Sequence, residues 1–183
     1  MSARLFAALD VPAPVRDALA AFGRAAAEDD FALRAVRDDA LHVTLTFLGH
    51  RPLDDMEAAA EAVRAAAGEV DGPFQLSLGE PLWLAPRRPH VLTVEVLDAT
   101  GALFALQERV VGALVDAVGH EPERRRFRPH VTVARVRQGA RPRMRGLPEG
   151  PRAAFAGEAV TLYRSYLGGG PARYEAVERA VLA

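Results

Sequence analysis

At 183 residues, half of them hydrophobic and with a net charge of −1, the chain is sized for one domain, or one domain of two intimate lobes. It has no cysteine, which excludes disulfides, thiolate nucleophiles and cysteine-based metal sites. All 23 of its strongly basic residues are arginine, so ligases that adenylate a lysine and Schiff-base enzymes are excluded, and no Gly-x-x-x-x-Gly-Lys loop exists for a nucleoside triphosphatase.

In chain order, residues 4–10 read as a strand. The apolar residues of Met1–Phe6 belong to that strand and do not form a signal peptide. No apolar run reaches the roughly 18 residues of a membrane helix. A cytoplasmic protein with no membrane partner is therefore expected. Pro12 and Pro14 open a helix to about Glu28, with Val15, Leu19, Phe22 and Ala26 at helical spacing. A short strand is expected at 31–37 and a longer one at 41–48, closed by Gly49. Leu53 to Ala67 reads as an alanine-rich helix. Strands at 73–84 and 90–97 flank the turn Pro86-Arg87-Arg88-Pro89. A helix from about Thr100 to Val118 carries Leu103, Leu106, Val110, Leu114 and Val118 on one face. A strand at 129–136, a Gly/Pro/Arg loop at 137–153 and strands at 155–167 and 172–181, joined by Gly168-Gly169-Gly170-Pro171, complete the chain. Nothing in this pattern splits it into separable domains or presents a stripe for an obligate protein partner.

Two of these strands carry the same motif. His42-Val43-Thr44-Leu45 recurs 88 residues later as His130-Val131-Thr132-Val133. At the same offset Leu9-Asp10 recurs as Leu97-Asp98, and each Asp precedes its His by 32 residues. Each half thus reads as strand, helix and strand bearing His-x-Thr. Such a duplication predicts a pseudo-twofold molecule whose histidines face one another.

The chemistry follows from strand geometry. Residues i and i+2 share a face, so His42 projects with Thr44 and His130 with Thr132, while Val43, Leu45, Val131 and Val133 point into a core. A threonine hydroxyl donates to a non-bridging phosphate oxygen. An imidazole with an ordinary pKa near 6.5 carries protons at neutral pH. Two imidazoles serve the cleavage of a phosphate ester, one taking a proton from the attacking oxygen and the other giving one to the leaving oxygen. A zinc site is disfavoured, because zinc takes three or four protein ligands and neither motif offers a second ligand on its face. A serine hydrolase would need a Gly-x-Ser-x-Gly elbow, which is absent. Nine arginines and no carboxylate lie between Arg124 and Pro148, a local positive field suited to a polyphosphate ligand. His50 and His120 read as surface residues and His90 as the start of a strand.

These segments resemble the two-histidine phosphoesterase superfamily, and within it the bacterial RNA 2′,3′-cyclic phosphodiesterases, also known as the 2′–5′ RNA ligase family. The resemblance rests on Arg4–Asp10, Leu41–Gly49, Phe127–Arg135, Leu162–Gly168 and Ala172–Glu175, in order along essentially the whole chain. It implies a bilobal, pseudo-twofold α+β fold over residues 1–183, with two antiparallel sheets flanking a central groove and helices outside. It implies hydrolysis of RNA 2′,3′-cyclic phosphate ends, or of cyclic nucleotides, to 2′-phosphomonoesters, with no metal and no cofactor. Carried over, His42 is the proton donor, His130 the acceptor, and Thr44 and Thr132 bind phosphate. The family also implicates the residue five past each histidine, here Phe47 and Arg135. Arg135 is a candidate for phosphate, and Phe47 is either a base-stacking residue or a core aromatic. Strict alternation puts an offset of five on the wrong face, and a bulge or a strand end would return them to the groove. Relatives often have a tryptophan near residue 35, where this chain has Ala35-Val36. Ligation of a 2′,3′-cyclic end to a 5′-hydroxyl, another phosphodiesterase activity, and a non-catalytic RNA-end-binding module are the alternatives.

Overall fold

The computed structural model describes residues 1–166, 168 and 172–183. The described chain runs β1 (Ser2–Asp10), α1 (Ala13–Asp29), β2 (Leu33–Ala35), a 3-10 turn (Asp38–Ala40), β3 (His42–Pro52), α2 (Asp55–Gly68), β4 (Phe74–Leu84) and β5 (Val91–Leu97). It continues through α3 (Ala102–Val118), β6 (His130–Val136), β7 (Ala154–Gly157), β8 (Ala159–Tyr166) and β9 (Arg173–Val181). Of the turn expected between the last two strands, Gly169, Gly170 and Pro171 lie outside the described residues.

The two expected antiparallel sheets are the two lobes of one sheet. One lobe has the order β3-β1-β8-β9. The other has β7-β4-β5-β6, with β2 paired to the flank of β6. The lobes meet at one register pair, Val43 opposite Val131, which joins all nine strands. The join is short because β5 fills one edge of β6 and β2 takes the joining edge from Ala134 to Val136.

The helices interlock the halves. The apolar stripe of α1 (Val15, Leu19, Phe22, Ala26) is buried, and α1 packs on β2 and β6, so the first half's helix covers the second half's motif strand. Conversely α3, with Leu103, Leu106, Val110 and Leu114 buried, packs on α2 and β3. Each fully buried Leu or Val contributes roughly 1.5–3 kcal/mol, so neither half would keep its core alone. Gly101 (φ 82°) and Gly119 (φ 61°) bound α3, both in the left-handed region that glycine adopts without strain.

Three expectations need correction. The strand read at 155–167 is broken at Glu158 into β7, which pairs with β4, and β8, which pairs with β1, so the chain changes lobe there. Gly157 permits the change: a Cβ at that position would come within 2.9 Å of the Phe74 ring. The first motif strand does not close at Gly49; it continues to Pro52 through that residue at φ 72°, which places exposed His50 on a strand. His120 is a core residue, 5% exposed, with its Nε2 2.9 Å from the Thr46 hydroxyl. Left-handed Gly119 turns the chain back under α3, where the His120 amide donates to the Leu114 carbonyl. A residue after a helix end was read as solvated because sequence does not show that turn.

Candidate active site

The repeat register decides the geometry of the groove. Val43 and Val131 are 88 residues apart, as are the two histidines, so an antiparallel pair between them lies on a local twofold axis. That register sets His42 opposite Thr132 and Thr44 opposite His130. Val43 and Val131 are buried, so all four polar side chains occupy the other face. The two imidazoles are diagonal neighbours, with backbone positions roughly 7–8 Å apart by ordinary sheet geometry, a span that suits one tetrahedral phosphate between them.

Each ring is held from behind by its own strand's approach. His130 Nδ1 lies 2.6 Å from the Arg128 carbonyl, two residues upstream. His42 makes the same kind of bond to the backbone of Ala40, again two residues upstream. For His130, an Nδ1–H donated to that carbonyl leaves Nε2 as the working nitrogen.

The surroundings of the two rings differ. His42 is walled by Phe6 (centroids 4.9 Å apart), Tyr174 (5.5 Å) and Tyr163 (5.9 Å). Burial pushes its pKa down to about 4, against the opposing pull of the Ala40 backbone, and the positive charges of Arg135 and His130 add to the lowering. His130 is also lowered by burial, with the Arg128 charge acting in the same direction and its carbonyl opposing. Burial raises the Tyr163 hydroxyl, as does nearby Asp10. Asp10, directly across from His42, accepts from Thr161 Oγ1 (2.8 Å) and Arg179 Nε (2.8 Å).

The residues five past the histidines do reach the groove, by bulges. On β3 the partner of Ala8 is Thr44, but that of Ala7 is Thr46, so Leu45 is extra. On β6 the partner of Thr93 is Thr132, but that of Leu92 is Ala134, so Val133 is extra. These two bulges are themselves 88 residues apart. Each buries two consecutive residues, Leu45-Thr46 and Val133-Ala134, and thereby returns Phe47 and Arg135 to the histidine face. Phe47, 48% exposed, and Arg135 then line one cavity of about 380 Å³ with Phe6, Tyr174, Arg4 and Arg34. Ala35 and Val36 form part of its wall. The second bulge brings the Val133 carbonyl to α1 so closely that only a glycine fits: a Cβ on Gly23 would stand 2.5 Å from it.

The family model described as the 2'-5' RNA ligase superfamily matches residues 13–169. The chain belongs to that superfamily. A member named RNA 2',3'-cyclic phosphodiesterase from Geobacillus stearothermophilus is 31% identical over 78% of this chain and 45% of its own length. One of the same name from Aeropyrum pernix is 34% identical over 60% of each. The chain thus spans about half the length of these two relatives. The crystal structure of Escherichia coli LigT complexed with 3'-AMP superposes with a TM-score of 0.76 at 26% identity, covering 100% of this chain and 99% of that one. The bilobal mixed α/β architecture is therefore the superfamily's own.

Two features of this superfamily member were not legible beforehand. The sequence repeat pairs Asp98 with Asp10, yet Asp98 is no neighbour of His130. It accepts the amides of Gly101 (2.9 Å) and Leu103 (2.8 Å) at the start of α3, and Glu95 stands across from His130 instead. The aromatic wall of His42 draws Tyr163 and Tyr174 from the last two strands, far away in sequence and outside the repeat. Among the described residues, no three His, Asp or Glu side chains converge as a metal cage would require, and no helix is long and apolar enough to cross a membrane.

Proposed function

We propose that this protein hydrolyses the 2′,3′-cyclic phosphate at the end of an RNA to a 2′-phosphomonoester, without a metal, by two-histidine acid–base catalysis. The supporting observation is the placement of both imidazoles and both threonine hydroxyls on one face around the Val43–Val131 axis, each ring tethered by a carbonyl behind it. The names of the relatives point the same way.

His130 takes a proton from water as the water attacks phosphorus, and His42 gives a proton to the departing 3′ oxygen. The aromatic wall bears on this division: it disfavours the charged ring, so a proton held by His42 is readily given up. With its pKa pushed down to about 4, His42 on its own is predominantly neutral at pH 7. A phosphate anion beside it reverses the balance and supplies the reason to hold a proton. Thr44 and Thr132 donate to the non-bridging oxygens, and Arg135 opposes the charge that accumulates there in the transition state. Phe47 offers its face to the base. The superfamily's name favours a second reading, in which a 5′-hydroxyl replaces water and the same groups run the ligation; water at bulk concentration makes hydrolysis the dominant direction.

The test is incubation with 2′,3′-cyclic, 3′,5′-cyclic and 2′–5′-linked nucleotides, with the product read by phosphorus NMR. A 2′-phosphate from the 2′,3′-cyclic substrate, formed equally well in chelator, is expected. No turnover of any substrate would leave only an RNA-end-binding module. Loss of activity in chelator would overturn the metal-free scheme.

A further inference from the structure

Arg34 and Arg135 face each other directly in the β2–β6 ladder. Both are exposed, both line the cavity beside the histidines, and neither has a carboxylate partner among the described residues. Like charges directly opposite on a sheet repel. The chain has 24 acidic residues, more than enough to relieve such a pair, and none lines this cavity. The nearby Arg37 shows the contrast, since its guanidinium is tied up by Asp39 at 2.9 Å. Arg4 adds a further guanidinium to the lining. Two unpaired guanidiniums fixed side by side on strands form a fork that an anion with several acceptor oxygens would satisfy.

That anion is not the scissile phosphate alone. The four groups proposed to bind the scissile phosphate lie at the β3–β6 seam around Val131, whereas Arg34 is on β2, which pairs with the same edge of β6 farther along, at Ala134 to Val136. Arg135 lies between, close enough for its charge to act on His42. Phe47 and Tyr174 offer apolar faces in the same cavity.

We propose that Arg34, with Arg135, binds a second phosphate of the substrate: the 5′-phosphate of the nucleotide that carries the cyclic phosphate. The substrate class is then a ribonucleotide chain, or a 5′-phosphorylated nucleotide, in preference to a nucleoside cyclic phosphate. This rests on the activity proposed above and narrows it.

The decisive comparison is kcat/KM for a nucleoside 2′,3′-cyclic phosphate against the same compound with a 5′-phosphate, in the wild type and in Arg34→Gln. A charge-assisted fork should favour the 5′-phosphorylated compound by about tenfold or more. Arg34→Gln should bring the ratio near one, mainly through KM, and Arg34→Lys should restore part of it. A wild-type ratio near one, or a ratio indifferent to Arg34→Gln, overturns the proposal. Calorimetry with adenosine 3′,5′-bisphosphate against adenosine 3′-phosphate reads the same preference without turnover. Should the wild type hydrolyse neither substrate, the activity proposal fails alone, and the second-phosphate site stands or falls on whether the bisphosphate binds more tightly and loses that advantage in Arg34→Gln.

Discussion

The two halves of the groove share a backbone but not a chemistry. Both place His-x-Thr beside the seam, tether the ring to the carbonyl two residues back, and insert one bulged residue at the same point of the repeat. The side chains that the two bulges deliver are opposites: a phenyl ring at Phe47 and a guanidinium at Arg135. His42 has three aromatic neighbours. His130 has arginine behind it; the carboxylate across the ladder is common to both, Asp10 for His42 and Glu95 for His130. Duplication thus supplies two equivalent positions for an imidazole, and divergence at a few side chains surrounds one with aromatic rings and the other with charge.

That comparison can be broken or sharpened. The symmetric part is tested by His42→Ala and His130→Ala, each expected to lower turnover of a 2′,3′-cyclic nucleotide by about 10²- to 10⁴-fold while circular dichroism stays native. Near-full activity in either variant would mean that the rings do not act as a pair. The divergent part is tested by Arg135→Ala and Phe47→Ala. Losing a charged hydrogen bond of roughly 1.5–3 kcal/mol should cost Arg135→Ala about ten- to a hundredfold in kcat/KM, partly in kcat. Losing a stacking face worth roughly 1–3 kcal/mol should raise KM in Phe47→Ala and leave kcat nearly alone. An equal split between kcat and KM in the two variants would erase the distinction.

The second bulge has its own probe. Gly23→Ala drives a methyl group against the Val133 carbonyl, which also accepts from the Val36 amide. Overpacking of this kind should cost about 1–3 kcal/mol in a denaturant melt. Activity should fall with it, because the bulge sets the direction of Arg135. An unchanged melting midpoint would show that α1 can move away freely. The smallest effect expected is on pH dependence. The proposed donor His42 starts near 4 and the proposed acceptor His130 is depressed, so the free-enzyme profile, kcat/KM, should peak below pH 6.5. Bound phosphate raises the donor, so the kcat profile should peak at higher pH. Coincident peaks at or above pH 7 would contradict this.

The motif strands, their helices and the four central polar residues were legible because strand alternation and a repeat offset are local, countable patterns. The bulges were legible only as one of two ways, beside a strand end, to return Phe47 and Arg135 to the groove. Their location at Leu45 and Val133 was not, because both look like ordinary inward residues. Asp98 misled for a physical reason: an aspartate at the head of a helix finds free amides, and here it takes them in preference to a place beside His130. The wall around His42 and the burial of His120 depend on contacts between distant segments, which no window along the chain contains. Arg34 carries no motif in the sequence, and only the register sets it against Arg135.

The join at Val43 and Val131 has a kinetic consequence. It closes a loop of nearly half the chain, and one ladder step releases too little free energy to offset that closure entropy on its own. Strand β6 must therefore dock onto sheets and helices that have already formed, and the cleft is among the last parts of the molecule to appear. A chain emerging from the ribosome carries its first imidazole long before the second, and the paired site arrives only with the finished fold.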